Sequence, residues 1–226
     1  MAPMANHAYV SFWTREHEEE TILERFGRLL ETFPLSASRP EFASLVIRAV
    51  SPAETPLVEH DLRGTMAAAS DVIALAAERR NEDSSYEVEA FWDVWQRSLE
   101  TGAWQKSPER VLLICNGWAY DDGVARESGD FLADVGLEHF FTGHGGLLGR
   151  SGARSAPADP VEAEFLAWMT HEEHLHEYYD KTRANIQLLL DWVASVEKAL
   201  SLERYLLWSE GEENLEARLD EILAVH

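Results

Sequence analysis

Cysteine is almost missing from this chain. Cys115 stands alone among 226 residues, which excludes an intrachain disulfide and any Cys-x-x-Cys redox or zinc motif. It lies in the apolar run Val111-Leu112-Leu113-Ile114-Cys115, where a buried, inert thiol is the default. Basic residues are scarce as well: 19 Lys and Arg stand against 41 Asp and Glu, a net charge of −22. That balance lacks the basic footprint that nucleic acid phosphates demand, and an anionic membrane repels it. No apolar run approaches the ~18 residues of a transmembrane helix. The first residues, Met1-Ala2-Pro3-Met4-Ala5-Asn6-His7, carry neither a basic start nor an apolar stretch, so no signal peptide is expected and a cytoplasmic location follows as the default. The P-loop ending, the dinucleotide fingerprint and the nucleophile elbow are absent too.

What the chain does have is one long alternating stretch. Tyr86, Val88, Ala90, Trp92 and Val94 fall on one face of an extended segment; Glu87, Glu89, Phe91, Asp93 and Trp95 fall on the other. One face is wholly apolar and the other mixes acids with large aromatics, the pattern of a strand whose first face packs on helices. It reads as the central strand. Eight Trp favour large buried surfaces or an aromatic-lined groove.

Before that stretch the chain alternates strand and helix. Residues 8–13 read as a strand. Thr14 is a helix N-cap candidate, Glu16, Glu18, Glu19 and Glu20 suit the first turns, and Ile22, Leu23, Phe26, Leu29, Leu30 and Phe33 form an apolar stripe. Pro34 stops the helix. Residues 42–50 and 57–62 read as strands, and 66–80 as an Ala-rich helix. The order strand, helix, strand, strand, helix, strand over 8–95 is that of a ferredoxin-like βαββαβ architecture, which carries no activity by itself.

Strand signals continue over 104–141. Residues 110–115 read as a strand, Asn116-Gly117 as a two-residue hairpin turn, Trp118-Ala119-Tyr120 as the return and 130–135 as another strand. Residues 150–158 are linker-like, rich in Ser, Gly, Ala and Pro. Asp159-Pro160-Val161-Glu162 is a strong helix start. The rest, 159–226, reads as helical, one helix to about Leu200 and shorter ones over 202–208 and 213–225. It holds 16 acids and five bases. The expected fold is therefore α+β: an α+β domain over 1–149 with an extended antiparallel sheet, a linker, and an α-helical C-terminal part packed on that sheet.

Chemistry-bearing residues gather in a few places. His171, His174 and His176 sit among Glu172, Glu173 and Glu177, and on a helix His171 and His174 share a face, a candidate divalent metal pair. The spacing is not His-Glu-x-x-His, and only one Glu-x-x-His motif is present, so the plainer reading is a solvated helix face. Asp134 is an acid inside the strand Phe131-Leu132-Ala133-Asp134-Val135, near Asp121, Asp122, Asp130, Glu138, His139 and His144. With His139 or His144 it could do acid/base hydrolysis; its alternation with Phe131, Ala133 and Val135 equally fits an outward-facing position. Gly143 to Gly149 could cradle a phosphate, though an ordinary flexible loop is the plainer reading. No cofactor is implied beyond a divalent metal under the enzyme alternative.

No ligand set closes on paper, so the leading expectation is an acidic interaction protein, its concrete form an immunity protein or inhibitor that neutralises a basic partner such as a nuclease-like toxin. Glu87, Glu89, Phe91, Asp93, Trp95, Asp121 and Asp122 are the expected partner-binding residues, since aromatics ringed by acids suit a protein interface.

Overall fold

The computed structural model describes residues 6–15, 19–98, 101–144, 148 and 160–225. Among these, seven strands and seven helices follow one another as β1 (His7–Thr14), α1 (Glu19–Thr32), β2 (Ser44–Ala49), β3 (Val58–Asp61), α2 (Ala69–Ala77), β4 (Ser84–Arg97), β5 (Trp104–Asn116), α3 (Ala125–Ser128), β6 (Phe131–Leu137), α4 (His139–Thr142), α5 (Pro160–Trp168), α6 (Glu172–Ala199), β7 (Leu202–Ser209) and α7 (Leu215–Ala224). A 3₁₀ turn at Tyr120–Asp122 precedes α3. The strands form one sheet in the order β3-β2-β4-β5-β6-β1-β7, and every pairing is antiparallel.

The expected alternation holds where side-chain period and burial coincide. Along β4, Tyr86, Val88, Ala90, Trp92 and Val94 are at most 1% exposed, while Glu87, Glu89, Phe91, Asp93 and Trp95 remain half-buried. The first set joins the core formed by the α1 stripe Ile22, Leu23, Phe26, Leu29, Leu30 and Phe33, by Val72 and Ala76 of α2, and by Ile186, Leu189, Trp192, Val193 and Val196 of α6. Trp192 meets Phe12, Phe33 and Trp92 edge-on at 5.7, 5.4 and 6.2 Å between ring centres, the geometry favoured by aromatic quadrupoles. Gly27 lets α1 and α2 approach closely, since a Cβ there would lie 3.1 Å from Ile73.

The ferredoxin-like pairing expected over 8–95 is met only in part. The element order is present, and β3-α2-β4 is a split crossover around β2. However, β5 and β6 stand between β4 and β1, so α1 spans three strands on its way from β1 to β2. The middle strand of the sheet is accordingly β5 rather than β4.

Four further expectations change. Thr14 does not cap a helix: it ends β1, and its backbone N–H and its hydroxyl each donate to Asp130 Oδ2 at 2.7 Å. Of the acids assigned to the first helical turns, Glu16 and Glu18 lie outside the described residues. Asn116-Gly117 is not a hairpin turn, and 118–120 is not a return strand. Gly117 N–H donates to the Ser84 carbonyl at 2.8 Å, and a Cβ at Gly117 would lie 2.7 Å from that oxygen and meet the Glu82 carbonyl as well. The left-handed backbone falls instead on Asp121, Asp122 and Gly123. Finally, residues 202–208 are not helical but form the strand β7, which pairs with β1 from Ala8↔Ser209 to Thr14↔Leu202. The single long helix is two, α5 and α6. The linker expected at 150–158 and most of the glycine-rich stretch 143–149 lie outside the described residues. No helix among those described is long and apolar enough to cross a membrane.

Candidate functional site

The helices α1, α2 and α6 cover one face of the sheet. The other face carries side chains that belong neither to the core nor to the layer packed against it: Val46, Leu112, Ile114, Leu132, Leu206 and Trp208 are absent from that cluster and half-buried or exposed, Leu206 at 46%. The sheet register places them in two rows. One runs Glu59, Val46, Glu87, Ile114, Leu132, Ser11 and Leu206; the next runs Asp61, Ser44, Glu89, Leu112, Asp134, Tyr9 and Trp208. Directly paired residues in an antiparallel sheet share a face, so these rows form a continuous band across all seven strands. An antiparallel sheet that faces water on one side normally alternates apolar-in with polar-out. Here Leu112 and Ile114 of β5 and Leu132 of β6 put aliphatic side chains at outward positions.

The expected partner-binding residues of β4 all lie on this face, each with its own complement. Arg48 Nε donates to Glu87 at 2.8 Å and Arg110 Nε to Glu89 at 2.6 Å. Asp93 accepts from the Ser36 hydroxyl at 2.6 Å and the Ala37 N–H at 2.9 Å. The Arg39 guanidinium lies 4.4 Å above Phe91, and Lys181 Nζ lies 3.7 Å from the Trp95 ring. Beyond Glu89, where pairing with β2 ends, other groups complete the edge of β4. Ser36 N–H donates to the Phe91 carbonyl, and the Asn185 amide of α6 accepts from Trp95 N–H at 2.7 Å and donates to its carbonyl at 3.1 Å. Asp121 and Asp122 are exposed in the 3₁₀ turn beside Val50 and are not part of the two rows.

Asp134 finds a histidine, but neither His139 nor His144. Its two oxygens lie 2.8 and 2.9 Å from His7 Nδ1, and Gly136 N–H donates to Oδ1 at 3.1 Å. Beside it, Tyr9 stacks on Trp208 with ring centres 4.2 Å apart and planes at 17°. The Tyr9 hydroxyl donates to Glu210 Oε1 at 2.9 Å, and the His7 backbone N–H donates to Glu210 Oε2 at 3.2 Å. Burial, then the bond to Glu210, push the Tyr9 phenol up, so it stays a neutral donor. The same two bonds hold the Glu210 carboxyl below its ordinary range, so it stays charged.

The remaining candidates are placed elsewhere. His139 sits against Phe140 and faces His144 with ring centres 6.1 Å apart; burial, then the His144 charge, lower its pKa to about 4. His171 precedes α6, and His174 stacks on Trp168 at 3.8 Å while its Nδ1 lies 2.9 Å from the Trp168 carbonyl. His176 turns instead to Asp180, 3.5 Å away. Among the described residues no three His, Cys, Asp or Glu side chains are grouped to hold a metal ion. Asp130 is used by Thr14, and Glu138 Oε2 accepts from Gly211 N–H at 2.9 Å. Cys115 is fully buried, and burial raises its thiol well above the ordinary value.

Tyr9, Leu112, Ile114, Leu132, Leu206, Trp208 and Glu210 were not legible as site residues. A continuous apolar run such as 111–115 reads as a strand buried on both faces, and residues 202–208 read as helix. The chain matches no family model, no curated protein and no solved structure.

Proposed function

We propose that this protein is a non-enzymatic interaction module whose uncovered sheet face binds a basic protein partner. The observation that carries the reading is the outward row Ile114, Leu132, Ser11 and Leu206, aliphatic but for the serine, on a face that no layer covers among the described residues. With Leu112 and Val46 these half-buried to exposed side chains make an apolar patch, and such patches mark binding sites on soluble proteins. The net charge of −22 supports a basic partner, because opposite charge steers association and disfavours wrong partners. The concrete form is an inhibitor or immunity protein acting on a basic, nuclease-like toxin.

The test is retention on immobilised protein, wild type against an Ile114→Ser, Leu132→Glu double variant. Both positions are half-buried and lie outside the core cluster, so the variant is expected to keep its far-UV spectrum and most of its thermal stability. A basic protein held at low salt by wild type and lost from the variant column supports the reading. Equal retention on both columns overturns it.

A further inference from the structure

We infer that Tyr9, Trp208 and Glu210 form a receptor site for an arginine side chain of the bound protein; this rests on the uncovered face being the binding surface.

The sheet face and its margins carry several aromatics, and the chain supplies a cation to nearly all of them. Arg39 lies over Phe91, Lys181 over Trp95, Arg126 over Trp118 and Arg204 over Trp13, at 4.4, 3.7, 4.6 and 4.0 Å from the ring centres. The last pair is instructive because it spans the same two strands: Trp13 of β1 pairs with Arg204 of β7, just as Tyr9 pairs with Trp208. At one end of this ladder an aromatic of β1 meets an arginine of β7. At the other end an aromatic of β1 meets an aromatic of β7, and among the described residues no Lys or Arg lies over either ring.

The stack also has an anion built beside it. Glu210 follows Trp208 by two residues and is held in place by the Tyr9 hydroxyl and the His7 N–H. Its carboxylate remains exposed, and each oxygen, already accepting one hydrogen bond, keeps lone-pair capacity for another. Trp208 is itself fixed, its indole N–H donating to the Ser11 hydroxyl at 3.0 Å. Because β7 is the outermost strand, no strand among the described residues lies beyond Trp208 on that side. A rigid aromatic face next to a fixed carboxylate is complementary to a planar guanidinium, which stacks through its face and donates through its edge. An ammonium has no such plane. Asp134 is not the anion used here, since its side chain is only 18% exposed and lies against His7.

The probe is N-acetyl-arginine amide, titrated into ¹⁵N-labelled protein while the indole N–H signals are followed. A Trp208→Phe variant assigns the signal by its disappearance. N-acetyl-citrulline amide, the neutral isostere, is the control. The expected result is a saturable shift of the Trp208 indole with arginine and none with citrulline. Glu210→Gln should weaken the arginine response roughly fivefold. Equal responses to arginine and citrulline, or arginine shifts spread over all indoles without saturation, would overturn the assignment. Retention of the basic partner separates the two readings. If the Ile114→Ser, Leu132→Glu variant loses the partner while Glu210→Gln and Trp208→Leu hold it unchanged, the arginine site is wrong and the face stands. If all variants hold it equally, both are wrong.

Discussion

The two faces of β4 are built from alternate residues of one stretch and solve opposite problems. On the helix side, Trp92 touches Phe33, Phe141 and Trp192, and stability comes from area removed from water and from close packing. On the other side the acids and aromatics are matched by partners from other elements, Glu87 by Arg48, Glu89 by Arg110 and Phe91 by Arg39. Partly exposed pairings of this kind contribute less to folding than the packed core does. The helix-side residues therefore hold the fold, and the other set is free to be shaped by something outside it. The next two strands sharpen the contrast. Leu113 of β5 is fully buried and Leu112 is not, although nothing in the pentad 111–115 distinguishes them except parity.

The largest effect should come from the covered face. Trp92→Ala is expected to cost about 4 kcal/mol in chemical denaturation, the range for emptying a buried aromatic site. A cost under ~1 kcal/mol would mean that the helix layer does not hold the sheet as described. The neighbouring leucines give the cleaner comparison: Leu113→Ala should cost about 3 kcal/mol and Leu112→Ala less than about 1 kcal/mol. Equal costs would show that the second face is covered in solution.

A third effect is pH-dependent and belongs to the covered region. The His139 pKa is lowered from 6.5 to about 4, so the folded protein binds this proton less readily than the unfolded chain. The contribution is fully present above pH 6.5 and is lost as pH falls toward 4, on the order of 2–3 kcal/mol. Urea unfolding of wild type and His139→Phe at pH 7 and pH 4.5 should show the steeper loss in wild type. Parallel losses would place His139 in solvent. The smallest effect belongs to the open face. A double-mutant cycle on Glu89 and Arg110 should give roughly 0.3 kcal/mol at low salt and nothing measurable at high salt.

Much of the N-terminal half was legible because its local patterns and its burial agree. The stripe of α1 and the alternation of β4 each state which side faces in. The site was legible only in part. Glu87, Glu89, Phe91, Asp93 and Trp95 could be put on one face by parity, but their cationic partners Arg39, Arg48, Arg110 and Lys181 come from other elements. Asp134 was singled out as an acid inside a strand, yet its partner, His7, is 127 positions away. The stretch 202–208 misled because Leu202, Tyr205 and Leu206 also fit a helical spacing. Its strand state depends on β1 offering a free edge. Asn116-Gly117 misled because glycine at 117 answers to a close backbone contact with Glu82 and Ser84, not to a turn.

The sequence alone determined the charge of the molecule, the isolation of its one thiol, and which residues of each early element point the same way. These depend on composition and on the fixed periods of helix and strand. The tertiary structure decided which strands are neighbours and which face the described helices leave uncovered. It also decided whether Tyr9, Trp208 and Glu210 meet. Those outcomes depend on pairing between segments some 200 residues apart, whose register is set by the burial of the whole sheet and not by any local signal.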